Sequence, residues 1–217
     1  MKTRRSIPVE SACLAAALAL PMAAARAEGP TFNCAKAQGE VEKLICSDAS
    51  LAALDRKLDE AYKAASAKAK GKLASQLREE QRGWVKGRND CWKAKGQKTW
   101  ITATWTVDTV KGCVDAQYRL RTSELQAVWR QLPPKTVSYA CSTSPANEVV
   151  ANFFETDPPT IRLERGDRTR TLWRVGAAAA GNYEGQNVGL VLQGAELKLS
   201  WLDTNTGKTE ELPCKAP

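Results

Sequence analysis

The residues with the most chemical potential in this chain are cysteines, tryptophans and a few charged side chains on helices. Outside the first thirty residues there are six cysteines: Cys34, Cys46, Cys91, Cys113, Cys141 and Cys214. None forms a C-x-x-C pair, so a dithiol redox centre or a cysteine-rich metal site is not indicated. An even number suggests disulfides, with connectivity left open by sequence alone. The sequence-near pairings are Cys34–Cys46 and Cys91–Cys113; in the second half, about 80 residues are few for a stable strand-rich domain, and a Cys141–Cys214 bond would tie its first strand to its last. The chain contains no histidine. This removes Ser-His-Asp and Cys-His nucleophilic machinery and every His-ligated metal. Neither a cofactor nor a metal is expected, and the chain reads as a non-enzyme.

Four residues, Gln81, Arg82, Trp84 and Arg88, lie at helical spacing and could form a binding face. The alternative is that Trp84 is core and Arg88 covers it or pairs with an acid. Glu79 and Glu80 could be read as a paired acid and base, but adjacent helical residues point in different directions. Trp92, Trp100 and Trp105 sit among Lys93, Lys95 and Lys98, a mixture that can bind sugars or nucleic acid. The blander reading is a stapled loop packed on its helices.

These residues need elements to position them. Residues 1–27 have the form of a secretory signal peptide. Lys2, Arg4 and Arg5 precede the apolar stretch 12–20, and Ala25-Arg26-Ala27 offers a small-x-small cleavage site. The apolar stretch is too short to span a bilayer, and Cys13 lies at its start, where a lipid anchor is not expected. Cleavage after Ala27 would give a periplasmic or secreted chain, which makes disulfides natural and a nucleic-acid partner unexpected. It would also lower the net charge from +8 to +5, since four basic residues and one acid leave with it.

Residues 28–131 read as a helical domain. Leu51, Leu54, Leu58, Tyr62 and Ala65 form one apolar stripe. Leu73, Leu77, Trp84, Arg88 and Cys91 form a second, and Val110, Cys113, Val114, Tyr118, Arg121, Leu125 and Val128 a third. Ser47-Asp48 offers N-caps for the first of these helices. Residues 132–136, with Pro133-Pro134, read as a stiff linker. Residues 137–217 read as short strands at 149–154, 161–164, 169–175, 187–192, 196–201 and 210–214, separated by turn chemistry. Arg165-Gly166-Asp167 is a hairpin turn in this pattern. The fold class is therefore α + β multidomain: a disulfide-stapled helical domain followed by a small antiparallel β-barrel.

Both halves resemble known families. The first, over about residues 32–130, is similar to the N-terminal domain of LprI-type lysozyme inhibitors. The similarity is carried by Cys34, the run Glu42-Lys43-Leu44-Ile45-Cys46-Ser47-Asp48, Leu54-Asp55, Tyr62, Gln81-Arg82, Trp84, Arg88, Cys91, Cys113, Tyr118, Arg121 and Glu124-Leu125. The second, over about residues 137–215, resembles the MliC/PliC family of C-type lysozyme inhibitors, which are eight-stranded antiparallel barrels. Tyr139-Ala140-Cys141 and Cys214 carry its frame. That likeness implies an inhibitory loop at Ala179, Ala180, Gly181, Asn182 and Tyr183, and a second contact at Gln193-Gly194. Ala179 stands where the family has serine, Gln193 where it has lysine, and Val191 where it has tryptophan. A lysine can pair with a catalytic carboxylate, whereas an amide offers only a neutral hydrogen bond.

The resemblance implies a protein that protects the envelope by occluding a lysozyme cleft. The expected partner is a C-type lysozyme or another cell-wall glycosidase. C-type lysozymes are basic, so attraction would need local acids such as Glu184 and Glu196 near the loop. The alternative is an envelope module, binding peptidoglycan or another anionic surface, that has lost C-type inhibition.

Overall fold

A computed structural model describes residues 28–141, 147–176 and 181–216. The expected leader at 1–27 and two of the expected loop residues, Ala179 and Ala180, lie outside the described residues. Four helices occupy the first part: α1 Glu40–Ser47, α2 Ala49–Lys68, α3 Gly71–Asn89 and α4 Val110–Val128. A two-stranded ribbon, β1 Thr99–Trp100 with β2 Thr106–Val107, lies between α3 and α4. None of these helices is long and apolar enough to cross a membrane.

Local chemistry explains the helix starts. Asp48 Oδ1 accepts hydrogen bonds from the Ser50 and Leu51 backbone N–H groups at 2.9 and 3.1 Å, capping α2. Lys111 Nζ donates to its other oxygen at 2.6 Å. This bond from Lys111 is the main reason the Asp48 carboxyl is held well below its usual range. Thr109 Oγ1 caps α4 by accepting from the Gly112 N–H at 3.1 Å. Glu42 Oε2 accepts from the Gln38 and Gly39 N–H groups at the start of α1, and the Gln38 bond in particular lowers its pKa. Ile45, Leu51, Leu58, Ala65, Leu77, Val114, Tyr118 and Leu125 form the helical core. Leu73 and Val128, placed on apolar stripes by their spacing, are exposed. Each lies near a helix end, where the stripe has run past its partners.

Three disulfides join Cys34 to Cys46, Cys91 to Cys113 and Cys141 to Cys214, a density typical of oxidising compartments. The second part is a closed antiparallel barrel. Its strands are β3 Lys135–Cys141, β4 Glu148–Phe154, β5 Thr160–Arg165, β6 Arg168–Arg174, β7 Asn182–Gly185, β8 Val188–Gln193, β9 Glu196–Asp203 and β10 Lys208–Lys215. They neighbour one another in sequence order, and β10 returns to pair with β3. Closure makes an α + β architecture with eight strands and no free sheet edge. The first strand starts at Lys135, inside the stretch expected to be linker. Leu163, Leu172, Leu190, Leu197, Leu199 and Trp201 fill the interior.

Helix α4 is buried on two sides. Cys113, Val114, Tyr118 and Leu125 face the other helices. Ala116, Leu120, Ser123 and Ala127, spaced four, three and four, are also buried but belong to neither core cluster. Ser123 Oγ accepts a 3.0 Å hydrogen bond from Trp173 Nε1 of the barrel, which shows where this stripe points. Strand alternation turns Asn152, Phe154, Thr160 and Trp173 out of the barrel. Asn152, Phe154 and Thr160 are nevertheless buried, as expected for a barrel wall covered by a helix. Arg119 bridges Asp115 of α4 and Asp157 of the barrel, and Arg130 approaches Glu164 at 3.7 Å. Gln131 Nε2 donates to the Ala61 carbonyl at 2.8 Å, fixing the connector to α2. Ala127→Leu should therefore overpack the seam and cost about 1–3 kcal/mol. Urea unfolding followed by tryptophan fluorescence checks this, because Trp173 reports on the same contact.

Candidate functional site

Two regions carry the residues singled out by sequence. The first is a groove of about 450 Å³ in the helical part, lined by Phe32, Lys36, Asp59, Tyr62, Gln81 and Trp84, with Asp55 and Arg88 at its base. Arg88 is 5% exposed and Asp55 6%. Arg88 Nη1 donates to the Tyr118 hydroxyl at 2.7 Å, and that hydroxyl donates to Asp55 Oδ1 at 2.7 Å. The Arg88 and Asp55 charges approach to 3.9 Å. Asp55 Oδ2 accepts from Thr31 N and Thr31 Oγ1 at 2.7 and 2.6 Å, so one carboxylate holds the N-terminal segment onto α2. The Arg88 guanidinium lies 5.6 Å from the rings of both Trp84 and Tyr118 and completes its hydrogen bonds on Asn89.

This geometry separates the four motif residues. Trp84 and Arg88 face inward to the network. Gln81 Oε1 accepts from Arg121 Nε at 3.1 Å. Arg82 is exposed and pairs with Glu79. Glu80 instead accepts from Gln76, so the adjacent acids Glu79 and Glu80 point to different partners. The carboxylates in the groove are already engaged: Asp55 as above, Glu42 by backbone donors, and Asp59 by Lys63 at 2.6 Å. Trp84 Nε1 is buried and has no hydrogen-bond partner among the described residues.

Thr31 carries no signal in the sequence, and Asp55 enters it only within the Leu54-Asp55 pair of the LprI-type resemblance, without a role of its own. Its better signal is its place on the apolar stripe beside Leu51, Leu54 and Leu58, where a carboxylate needs a buried partner.

The second region is one end of the barrel. Gly181 has φ +61°, and a Cβ there would come within 2.8 Å of the Leu192 carbonyl oxygen, so glycine is required at this close approach. The Gly181 carbonyl accepts from the Leu192 N–H at 3.0 Å, and Asn182 pairs with Val191. The start of β7 is thus brought beside the Gln193-Gly194 turn, where Gly194 has φ +65°. Gln193 is exposed and sits opposite Glu196, which pairs with Lys215 at 2.9 Å. Tyr183 points into the barrel core and is buried. Glu184 faces the helical part and accepts from the Thr104 N–H at 3.0 Å. The loop carrying Trp105 therefore lies against the barrel end.

Burial raises the pKa values of Tyr118, Tyr139 and Tyr183, three of four tyrosines in the chain. A phenol with a folded pKa above its unfolded value, about 10, contributes stability that is full below that value. The contribution is lost as pH rises toward the folded value. The phenolate absorbance of these three should accordingly rise in an alkaline titration together with loss of the circular dichroism signal, rather than before it. Early titration of these three tyrosines in the folded protein would contradict the burial.

Among the described residues, no group of three or more Cys, Asp or Glu side chains could hold a metal ion. No significant match to a curated protein or to a solved structure was found. Residues 34–125, spanning α1 to most of α4 with both helical-half disulfides, match the family model of the lysozyme inhibitor LprI.

Proposed function

We propose that the protein is an exported lysozyme inhibitor that protects the cell envelope by occluding a lysozyme cleft without catalysing a reaction. The observation that carries this reading is the family match over residues 34–125. The three disulfides and the occupied carboxylates of the helical groove support it. A C-type lysozyme is the partner this reading names, because the barrel resembles the MliC/PliC inhibitors. The contact would lie at the barrel end, at Gly181, Asn182, Gln193 and Gly194. Glu184 and Glu196 supply acid close to that end, but Glu196 is paired with Lys215, which lowers its attraction for a basic enzyme.

The test is turnover of cell-wall substrate by a C-type lysozyme with and without the mature chain. Slowed turnover at micromolar inhibitor is expected, and unchanged turnover would overturn the reading. Ala179→Ser combined with Gln193→Lys restores the hydroxyl and ammonium of the resembled family. Inhibition should then strengthen about tenfold or more, the effect of one charge-assisted contact of about 1.5 kcal/mol. An unchanged inhibition constant would place the contact elsewhere, on the helical part.

A further inference from the structure

Of the seven tryptophans, two are prominently exposed: Trp92 at 52% and Trp100 at 62%. Both belong to the connection between α3 and α4, and each has a lysine over its ring. Lys93 Nζ lies 5.7 Å from the Trp92 ring centre and Lys98 Nζ 4.7 Å from that of Trp100. Lys95 and Lys98 have no carboxylate partner among the described residues, whereas Lys93 is shared with Asp90 at 3.0 Å. Two bare indoles cost solvation free energy that a folded chain would usually recover by packing.

The segment that carries them is held from several directions. The Cys91–Cys113 disulfide closes its base. The Gly96 N–H donates to the Asp108 carbonyl at 3.1 Å, and β1 pairs with β2. The Ile101 N–H donates to the Trp105 carbonyl at 2.8 Å, and the Thr104 N–H is tied to Glu184. Little ordering is left to be lost on binding. Between the indoles the chain offers Lys93, Lys95, Gln97, Lys98 and Thr99, without a leucine, isoleucine or phenylalanine.

We infer that the Trp92–Trp100 loop is a binding surface for an anionic glycan, whose sugar faces stack on the indoles while its carboxylates meet Lys95 and Lys98. Cation–π contact occupies one side of a ring, and the exposure of each indole leaves area for a sugar. The polar side chains between the indoles suit sugar hydroxyls better than acyl chains, because the one aliphatic side chain there, Ala94, is buried and none is left to insert in a bilayer. Stapling by disulfides places the protein where nucleic acid is scarce. Such a surface would hold the protein on the polymer that a lysozyme attacks. Its indoles and lysines are not among the residues described above for the groove or the barrel end.

Sedimentation of the mature chain with purified peptidoglycan sacculi tests this without any lysozyme, so its outcome is independent of inhibition. The wild type should pellet, and added salt should weaken the binding. Trp92→Ala with Trp100→Ala should weaken binding about tenfold or more, as expected from two lost stacking contacts. Lys95→Glu with Lys98→Glu should weaken it and remove most of the salt sensitivity. All four positions are exposed, and circular dichroism confirms that each variant is folded. Neutral chitin should bind more weakly than sacculi. Failure of the wild type to pellet, or equal pelleting of the tryptophan variant, would overturn the inference. Tighter binding to phosphatidylglycerol vesicles or to single-stranded DNA would overturn it as well.

Discussion

Asp55→Ala should destabilise the protein by about 3–5 kcal/mol, the usual result of stripping the partner from a buried ion pair. Arg88 would remain beneath Trp84 and Tyr118, 5% exposed, with no anion to balance it. Thr31 N and Thr31 Oγ1 would lose their common acceptor at the same time, so the segment around Thr31 should loosen from α2, while Glu28 and Gly29 keep the bonds their carbonyls accept from Arg56. Arg88→Met should cost less. It leaves the Asp55 carboxylate with three hydrogen-bond donors, from Thr31 and Tyr118, and the thioether can fill space beside the rings. Urea unfolding of the two variants gives the order directly. Equal losses, or an Asp55→Ala loss under 1 kcal/mol, would show that the pair is not the main restraint.

The Cys141–Cys214 disulfide closes a loop of 73 residues. In the chain-entropy account, a loop of that size contributes about 4 kcal/mol. Its position adds to this. Strands β9 and β10 pair over eight residues, but β10 and β3 pair over two among the described residues, Cys214 with Cys141 and Lys215 with Ala140. Among the described residues, the disulfide therefore sits at the barrel seam with the fewest paired residues. Cys141→Ala with Cys214→Ala should lower the unfolding free energy by about 4 kcal/mol and expose β3 and β10 as edges. Hydrogen exchange should show early loss of protection at residues 135–141 and 208–215. Exchange that stays uniform across all eight strands would refute a weak seam.

How much of this was visible beforehand depends on the length and context of each element. The long helices α2, α3 and α4 repeat their apolar stripes over several turns, and the stripes included Arg88 and Arg121, which are indeed buried. Helix α1 is eight residues long and contributes Val41 and Ile45 to the core, too little periodicity to separate it from a loop. Strand β7 has four residues and ends in Gly185, so alternation has almost nothing to act on. Strand β3 was partly hidden by Pro133-Pro134, which made Lys135 and Thr136 look like connector, although Val137, Tyr139 and Cys141 do alternate. The barrel side of α4 escaped notice for a different reason. Ala116, Ser123 and Ala127 are too small to register as hydrophobic, yet small residues are what allow a helix to lie close to a sheet. At the candidate sites, residue types were legible and partners were not. Asp55 and Arg88 are 33 positions apart in the chain, and only the packing of α2 on α3 and α4 brings them to one point.

The two-sided burial of α4 also bears on whether the halves can exist apart. A fragment ending near residue 131 would carry Ala116, Leu120, Ser123 and Ala127 into water. A fragment beginning there would uncover Phe154, Thr160 and Trp173. Each would behave like one subunit of an obligate dimer deprived of its mate: poorly soluble alone, and expected to recover when the two are mixed. The peptide link between the halves then serves mainly to keep their effective concentration high.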